Sequence, residues 1–224
     1  MTHCQGPPRA PEVSADGVRV VRGWPSLPGP AADVLGALVE GNARFRSGQP
    51  RHPNASPARR RQLAAGQQPL AAFFGCIDSR VPDELVLDQG LGDLLTVRTA
   101  AHVLDDAALG SLEFAVHHLR VPLIMVAGHA RCGAVSASIE VLEGVAVVPD
   151  AVHALVDALR PAVAATAPVD DPAARVDAAV RWHTRLTAEL LSERSPVLRS
   201  AVSAGALGIV AAHYSLDTGA ITPA

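Results

Sequence analysis

Residues 122–128, PLIMVAG, are apolar without a break. A strand with one wet face alternates polar and apolar residues, so a strand with no polar face must be covered on both sides. That places it inside a sheet flanked by helices. LAAFFGC at 70–76, LLTVR at 94–98 and ALGIVAAH at 206–213 read as further strands. Segments of helical periodicity separate them. The alternation predicts an α/β fold: one domain with a mostly parallel central β-sheet flanked by helices.

The expected helices span 31–47, 57–66, 82–88, 106–120, 132–143, 151–165, 172–194 and 196–203, with a Pro/Asp break, PVDDP, at 168–172. Pro57 suits a first helical turn and Gly66 a stop. Tyr214 to Ile221 reads as a hairpin or edge strand turning at Thr218-Gly219. Residues 1–30 are rich in Pro and Gly and show no sustained period. They are expected to form a disordered N-terminal arm, with the folded domain at 31–224. On the first helix, Val34, Leu35, Leu38 and Phe45 are expected to need cover from a second subunit.

The formal net charge is −3, which argues against a nucleic-acid surface. All 19 basic residues are arginine. With no lysine, Schiff-base chemistry, pyridoxal phosphate attachment and a Walker-type phosphate lysine are excluded. No apolar run approaches the roughly 18 residues of a membrane span. The opening MTHCQGPPRAPEV has no signal-peptide core, so a cytoplasmic location is expected. There disulfides are rare, and cysteine paired with histidine points to metal.

Cys4 lies in the Pro/Gly-rich arm and reads as incidental. Cys76 and His129 each close an apolar strand, where parallel sheets gather their ligands. Cys132 follows His129 at helical i, i+3 spacing, in what reads as the first turn of a helix that would stabilise a thiolate. Two sulfurs and an imidazole suit Zn²⁺, and three ligands with an open fourth position is the catalytic pattern. Asp78 and Arg80 follow Cys76 at steps of two, so extended backbone would aim all three side chains one way. Arg80 can grip the Asp78 carboxylate with both arms of its fork. Gly128 and Gly133 read as room for close backbone approach.

The stretches GCIDSRVP, DQGLGDLLTVRTA, GSLEFAVHHL, VPLIMVAGHARCGAV and SPVLRSAVSAGALGIVAAHYSLDTG, with GNARFRSG upstream, resemble the β-class carbonic anhydrases. The resemblance spans about 31–222. It implies one zinc per chain on Cys76, His129 and Cys132, with Asp78 and Arg80 as the adjoining dyad. It implies CO2 and bicarbonate as substrates, hydration by a zinc-bound hydroxide, and a homodimer or dimer-based tetramer. Phe73, Val81, Phe114 and Gly133 are candidate pocket walls, and His102 is the candidate proton shuttle. In some members bicarbonate occupies a side pocket of Trp, Arg and Tyr while the aspartate becomes a fourth zinc ligand. Arg98 and Tyr214 match two of those positions, but Phe73 stands where the Trp would be and has no N–H to donate. Asp78 is therefore expected on Arg80. After Arg98 the family often reads Asn-Ala-Gly-Asn; this chain has Thr99-Ala100-Ala101-His102. Two other readings share the motifs: hydrolysis of COS or CS2, and a non-catalytic bicarbonate-sensing module, which would be expected to lack the dyad.

Overall fold

PLIMVAG does lie at the centre of the sheet. In the computed structural model, residues 12–13, 19–21, 23–166 and 171–224 are described. Most of the arm expected at 1–30, with His3 and Cys4, lies outside them, as does 168–170 of the PVDDP break. The chain order is β1 (Glu12–Val13), β2 (Arg19–Val20), α1 (Gly29–Arg46), α2 (Pro57–Leu63), β3 (Ala71–Cys76), α3 (Asp83–Val86), β4 (Leu94–Thr99) and α4 (Asp106–His117). There follow β5 (Leu123–His129), α5 (Gly133–Leu142), α6 (His153–Ala165), α7 (Pro172–Arg194), α8 (Pro196–Ser203), β6 (Gly208–Tyr214) and β7 (Ile221–Pro223).

β1 and β2 form a small antiparallel ribbon. The main sheet has five strands in the order β4-β3-β5-β6-β7, parallel except for β7. β3 is followed in sequence by β4 on one side and then by β5 on the other. The direction of winding reverses between β3 and β5, and that is where an open α/β sheet leaves a crevice at its carboxyl edge.

Helix starts follow local chemistry. Ser56, Asp105, Asp171 and Ser195 each cap a helix by accepting a backbone N–H. On one face of the sheet Leu35, Leu38, Phe73, Met125 and Val210 pack beneath α1. On the other, Phe74, Leu112, Val126, Leu191 and Leu198 pack beneath α4, α7 and α8. A third cluster joins Cys76 and Cys132 to Val135, Leu159 and Val180.

Two expectations about the N-terminal part change. Leu35 and Leu38 are fully buried, and Val34 and Phe45 pack against the same cluster, so α1 is covered by its own sheet. The period alone shows which face is apolar, not what covers it. Trp24 and Leu27, inside the stretch expected to be disordered, are buried in that cluster too. Among the apolar side chains that stay exposed, Ile77, Leu85, Leu91, Phe114, Val145 and Val147 are each about half exposed or more.

Candidate metal centre

Cys76 and His129 are the last residues of neighbouring strands. The step from His129 to Cys132 is not a helical one. His129 is still in β5, Arg131 turns the chain at φ +52°, and Cys132 is the residue before α5. The tight turn, not a helix face, brings ligand to ligand. The amides of Ala134 and Val135 at the start of α5 still face the Cys132 sulfur.

The donor atoms of Cys76, His129 and Cys132 lie within 4.8 Å of one another, and the two sulfurs are 4.0 Å apart. Tetrahedral zinc with bonds of about 2.3 Å to sulfur sets its sulfurs roughly 3.8 Å apart. His129 Nδ1 donates to the Ala130 carbonyl at 3.0 Å, which fixes the tautomer and leaves Nε2 unprotonated. That Nε2 is buried without a partner. The Cys132 thiol and the Asp78 and Ala101 backbone amides together draw the Cys76 thiol well below its usual value. The same contact with Cys76, with burial, pushes the Cys132 thiol up. The donor set, its spacing and its orphaned nitrogen fit Zn²⁺.

Asp78 and Arg80 also meet through a turn rather than an extended run. The Arg80 amide donates to Asp78 Oδ1 at 2.9 Å, as in an Asx turn. Its guanidinium donates to Oδ1 at 2.9 Å and to Oδ2 at 2.7 Å. These bonds hold the Asp78 carboxyl down at about 2, so it is ionised at neutral pH. Oδ2 lies 3.9 Å from His129 Nε2. Arg80 also donates to the Arg131 carbonyl at 3.1 Å, which ties the dyad to the ligand turn.

The other candidates fall in different places. Phe73 and Val81 are core residues of the α1 side. Since side chains alternate along a strand, Phe73 faces away from Cys76. Phe114 lines an open groove between β4 and α4 with Leu95, Val97, Arg98 and Gly110, not a wall beside the cysteines. Gly133 is exposed and open, so nothing there demands glycine. At Gly128, by contrast, a Cβ would come within 2.4 Å of Thr184 Oγ1. His102 is 1% exposed and burial holds it neutral, so it has no path for trading protons with solvent. Sequence gave no sign of this, because a loop next to the cleft and a loop beneath it look alike in one dimension.

Arg98 spends two donors on the metal loop: Nε on the Cys76 carbonyl and Nη2 on the Asp78 carbonyl, both at 2.7 Å. Tyr214 is buried, and its register partner in β5 is His129. Asp83 was not foreseen. Its carboxyl is buried with no hydrogen bond, and Arg98 stands 3.9 Å away. Burial raises its pKa to about 7. A carboxyl whose folded pKa exceeds its unfolded value of about 3.9 loses stability as pH rises between the two. Asp83→Asn should therefore raise Tm clearly more at pH 8 than at pH 5. Equal shifts at both pH values would contradict the buried charge.

Residues 71–221 match the family described as carbonic anhydrase. Carbonic anhydrase 2 of Mycobacterium tuberculosis is 45% identical over 183 residues, covering 82% of this chain and 87% of that protein. A carbonic anhydrase of Mycolicibacterium smegmatis is 43% identical over 185 residues, covering 83% and 89%. In fold, the chain is similar to a tetrameric β-carbonic anhydrase of Sordaria macrospora, with a TM-score of 0.66 at 22% identity over 81% of this chain and 90% of that one. With a family match over most of its length, and a sheet whose switch point gathers two cysteines and a histidine, this chain belongs to the β-class carbonic anhydrase family.

Proposed function

We propose that this protein catalyses the reversible hydration of CO2 to bicarbonate and a proton, using one zinc ion per chain. The observation that carries this is the Asp78–Arg80 pair fixed 3.9 Å from the free nitrogen of His129. A purely structural zinc site would have four protein ligands and no use for an ionised carboxylate at its open side.

Cys76, His129 and Cys132 would hold the metal. When bound, zinc is a Lewis acid that lowers the pKa of water from 15.7 to about 7. Asp78 accepts a hydrogen bond from the attacking oxygen and turns its lone pair toward carbon. Arg80 keeps Asp78 ionised and withholds it from the metal. A new C–O bond forms, bicarbonate departs, and the proton passes to water or buffer. With His102 sealed inside, exit on the exposed Arg80 side supports that route. With two Arg98 donors on carbonyls and Phe73 facing the core, the corner of Arg98 and Tyr214 is a poor anion site, and bicarbonate should inhibit weakly. Two buried free thiols that must stay reduced support a cytoplasmic setting.

Stopped-flow CO2 hydration, run beside COS hydrolysis, tests the reading. Fast CO2 turnover with negligible COS turnover is expected; the reverse would assign the other substrate.

Assembly follows from the surface. β4 is an edge strand, and Leu95, Val97 and Phe114 line an open apolar groove along it. Exposed strand edges with apolar flanks call for cover. Light scattering at micromolar concentration should give a mass of twice the 23.1 kDa chain, or a multiple of that. A fully active monomer would contradict it. Among the described residues, no helix is long and apolar enough to cross a membrane.

A further inference from the structure

Two consecutive residues after β4, Ala101 and His102, lie in the left-handed region at φ +51° and +47°. Neither is glycine, and left-handed backbone at such residues is unfavourable unless the surroundings enforce it. Ala101 is fully buried, and its amide donates to Cys76 Sγ at 3.3 Å. The strained turn thus aims a backbone N–H at a metal-binding sulfur.

What enforces the turn comes from α7. Thr184 donates its hydroxyl proton to the Val180 carbonyl at 2.7 Å, so its oxygen is left to accept. His102 Nε2 lies 3.2 Å from it and is the donor. The His102 ring is sandwiched further: His183 lies against it with centroids 4.8 Å apart, and Phe74 meets it edge-on at 6.3 Å. The Ala101 carbonyl also stands beside the His183 ring. Gly128 has no Cβ, which lets Thr184 and Val180 come against β5. His102 and Thr184 are both at most 1% exposed, so the contact is shielded from bulk solvent.

We propose that His102 and Thr184 are positioning residues. They clamp the Ala101–His102 turn so that the Ala101 amide holds Cys76 as a thiolate ligand of fixed orientation and donor strength. This assigns His102 a role through the metal's sulfur instead of a proton path. It rests on the zinc reading above and extends it beyond the three ligands. Hydrogen bonds to ligands orient them and tune the metal, and losing one typically costs 10–100-fold in metal affinity.

The test uses the full chain with Thr184→Val, which removes the accepting oxygen at nearly constant shape, and Thr184→Ser, which keeps it. Zinc affinity is measured by competition with a chromophoric chelator. The Co²⁺-substituted proteins give the thiolate-to-metal charge-transfer band. Thr184→Val should bind zinc about tenfold or more weakly. Its charge-transfer band should move to longer wavelength, because a sulfur that loses an N–H partner gives up charge more easily. Thr184→Ser should match the parent in both. A folded Thr184→Val with parental affinity and band would overturn the clamp. Should Thr184→Val fail to fold, His102→Asn is measured in its place, with the same two outcomes, since asparagine tolerates left-handed backbone. If the parent itself binds no zinc, the metal reading fails, which a normal parent with an unaffected variant would not imply.

Discussion

His129→Ala should leave a folded protein that holds zinc at well below one equivalent and hydrates CO2 at the uncatalysed rate. Catalytic zinc sites have three protein ligands, and this substitution leaves two. The direction of His129 Nε2 is also fixed by a second bond, through Nδ1 to the Ala130 carbonyl. Cys76→Ser and Cys132→Ser should do comparable harm, because a serine hydroxyl does not ionise to replace a thiolate. Zinc measured by atomic absorption, beside circular dichroism to confirm the fold, decides the matter. Full zinc retention in any of the three would remove that residue from the ligand set.

The dyad variants should separate metal from turnover. Asp78→Asn should keep its zinc and lose about 10²-fold in hydration rate, the order expected when a positioned proton-accepting group is removed. Its shape is preserved, but the amide cannot accept from the attacking oxygen while receiving both arms of Arg80. Arg80→Ala should be as slow for a different reason: the freed Asp78 carboxylate, 3.9 Å from His129 Nε2, can swing to the metal. Neither change should cost much stability at neutral pH, since the Arg80 side chain is half exposed and exposed pairs contribute about 0–1 kcal/mol. A folded-state pKa of about 2, below the unfolded value, means that the Asp78 contribution is complete above about pH 4 and lost as pH falls through 2. The activity loss in Asp78→Asn should accordingly be flat from pH 6 to 9. Near-parental rates in both variants would make the pair structural.

Much of this is legible in the sequence. PLIMVAG announced a strand covered on both faces, and β5 is buried at every position. Cys76 and His129 were legible because a parallel sheet collects strand ends at one edge. What one dimension hides is which backbone conformation closes a gap. The spacing from His129 to Cys132 read as helical, yet a left-handed Arg131 does the work. The pairing of Asp78 with Arg80 was foreseen from an extended chain, but it is closed by a turn. Pocket walls were the least legible: Phe73 and Val81 are apolar and near the motif in sequence, but both pack in the layer beneath α1, Phe73 because the pleat sends it away from Cys76. Thr184 and His183 lie more than 50 residues from the nearest ligand in sequence and carry no motif. Only the packing of α7 on β5 brings them under the site. The departure at Thr99-Ala100-Ala101-His102 was the available hint, and its meaning depended on two φ angles.

Zinc on Cys76, His129 and Cys132 is what should make this chain an active carbonic anhydrase. Zinc titration into the chelator-stripped protein, with stopped-flow CO2 hydration read at each step, tests it most directly. Activity should be absent without metal, rise in proportion to added zinc, and level off at one equivalent per chain. CO2 hydration by the stripped protein, or one equivalent of bound zinc with no hydration, would contradict it.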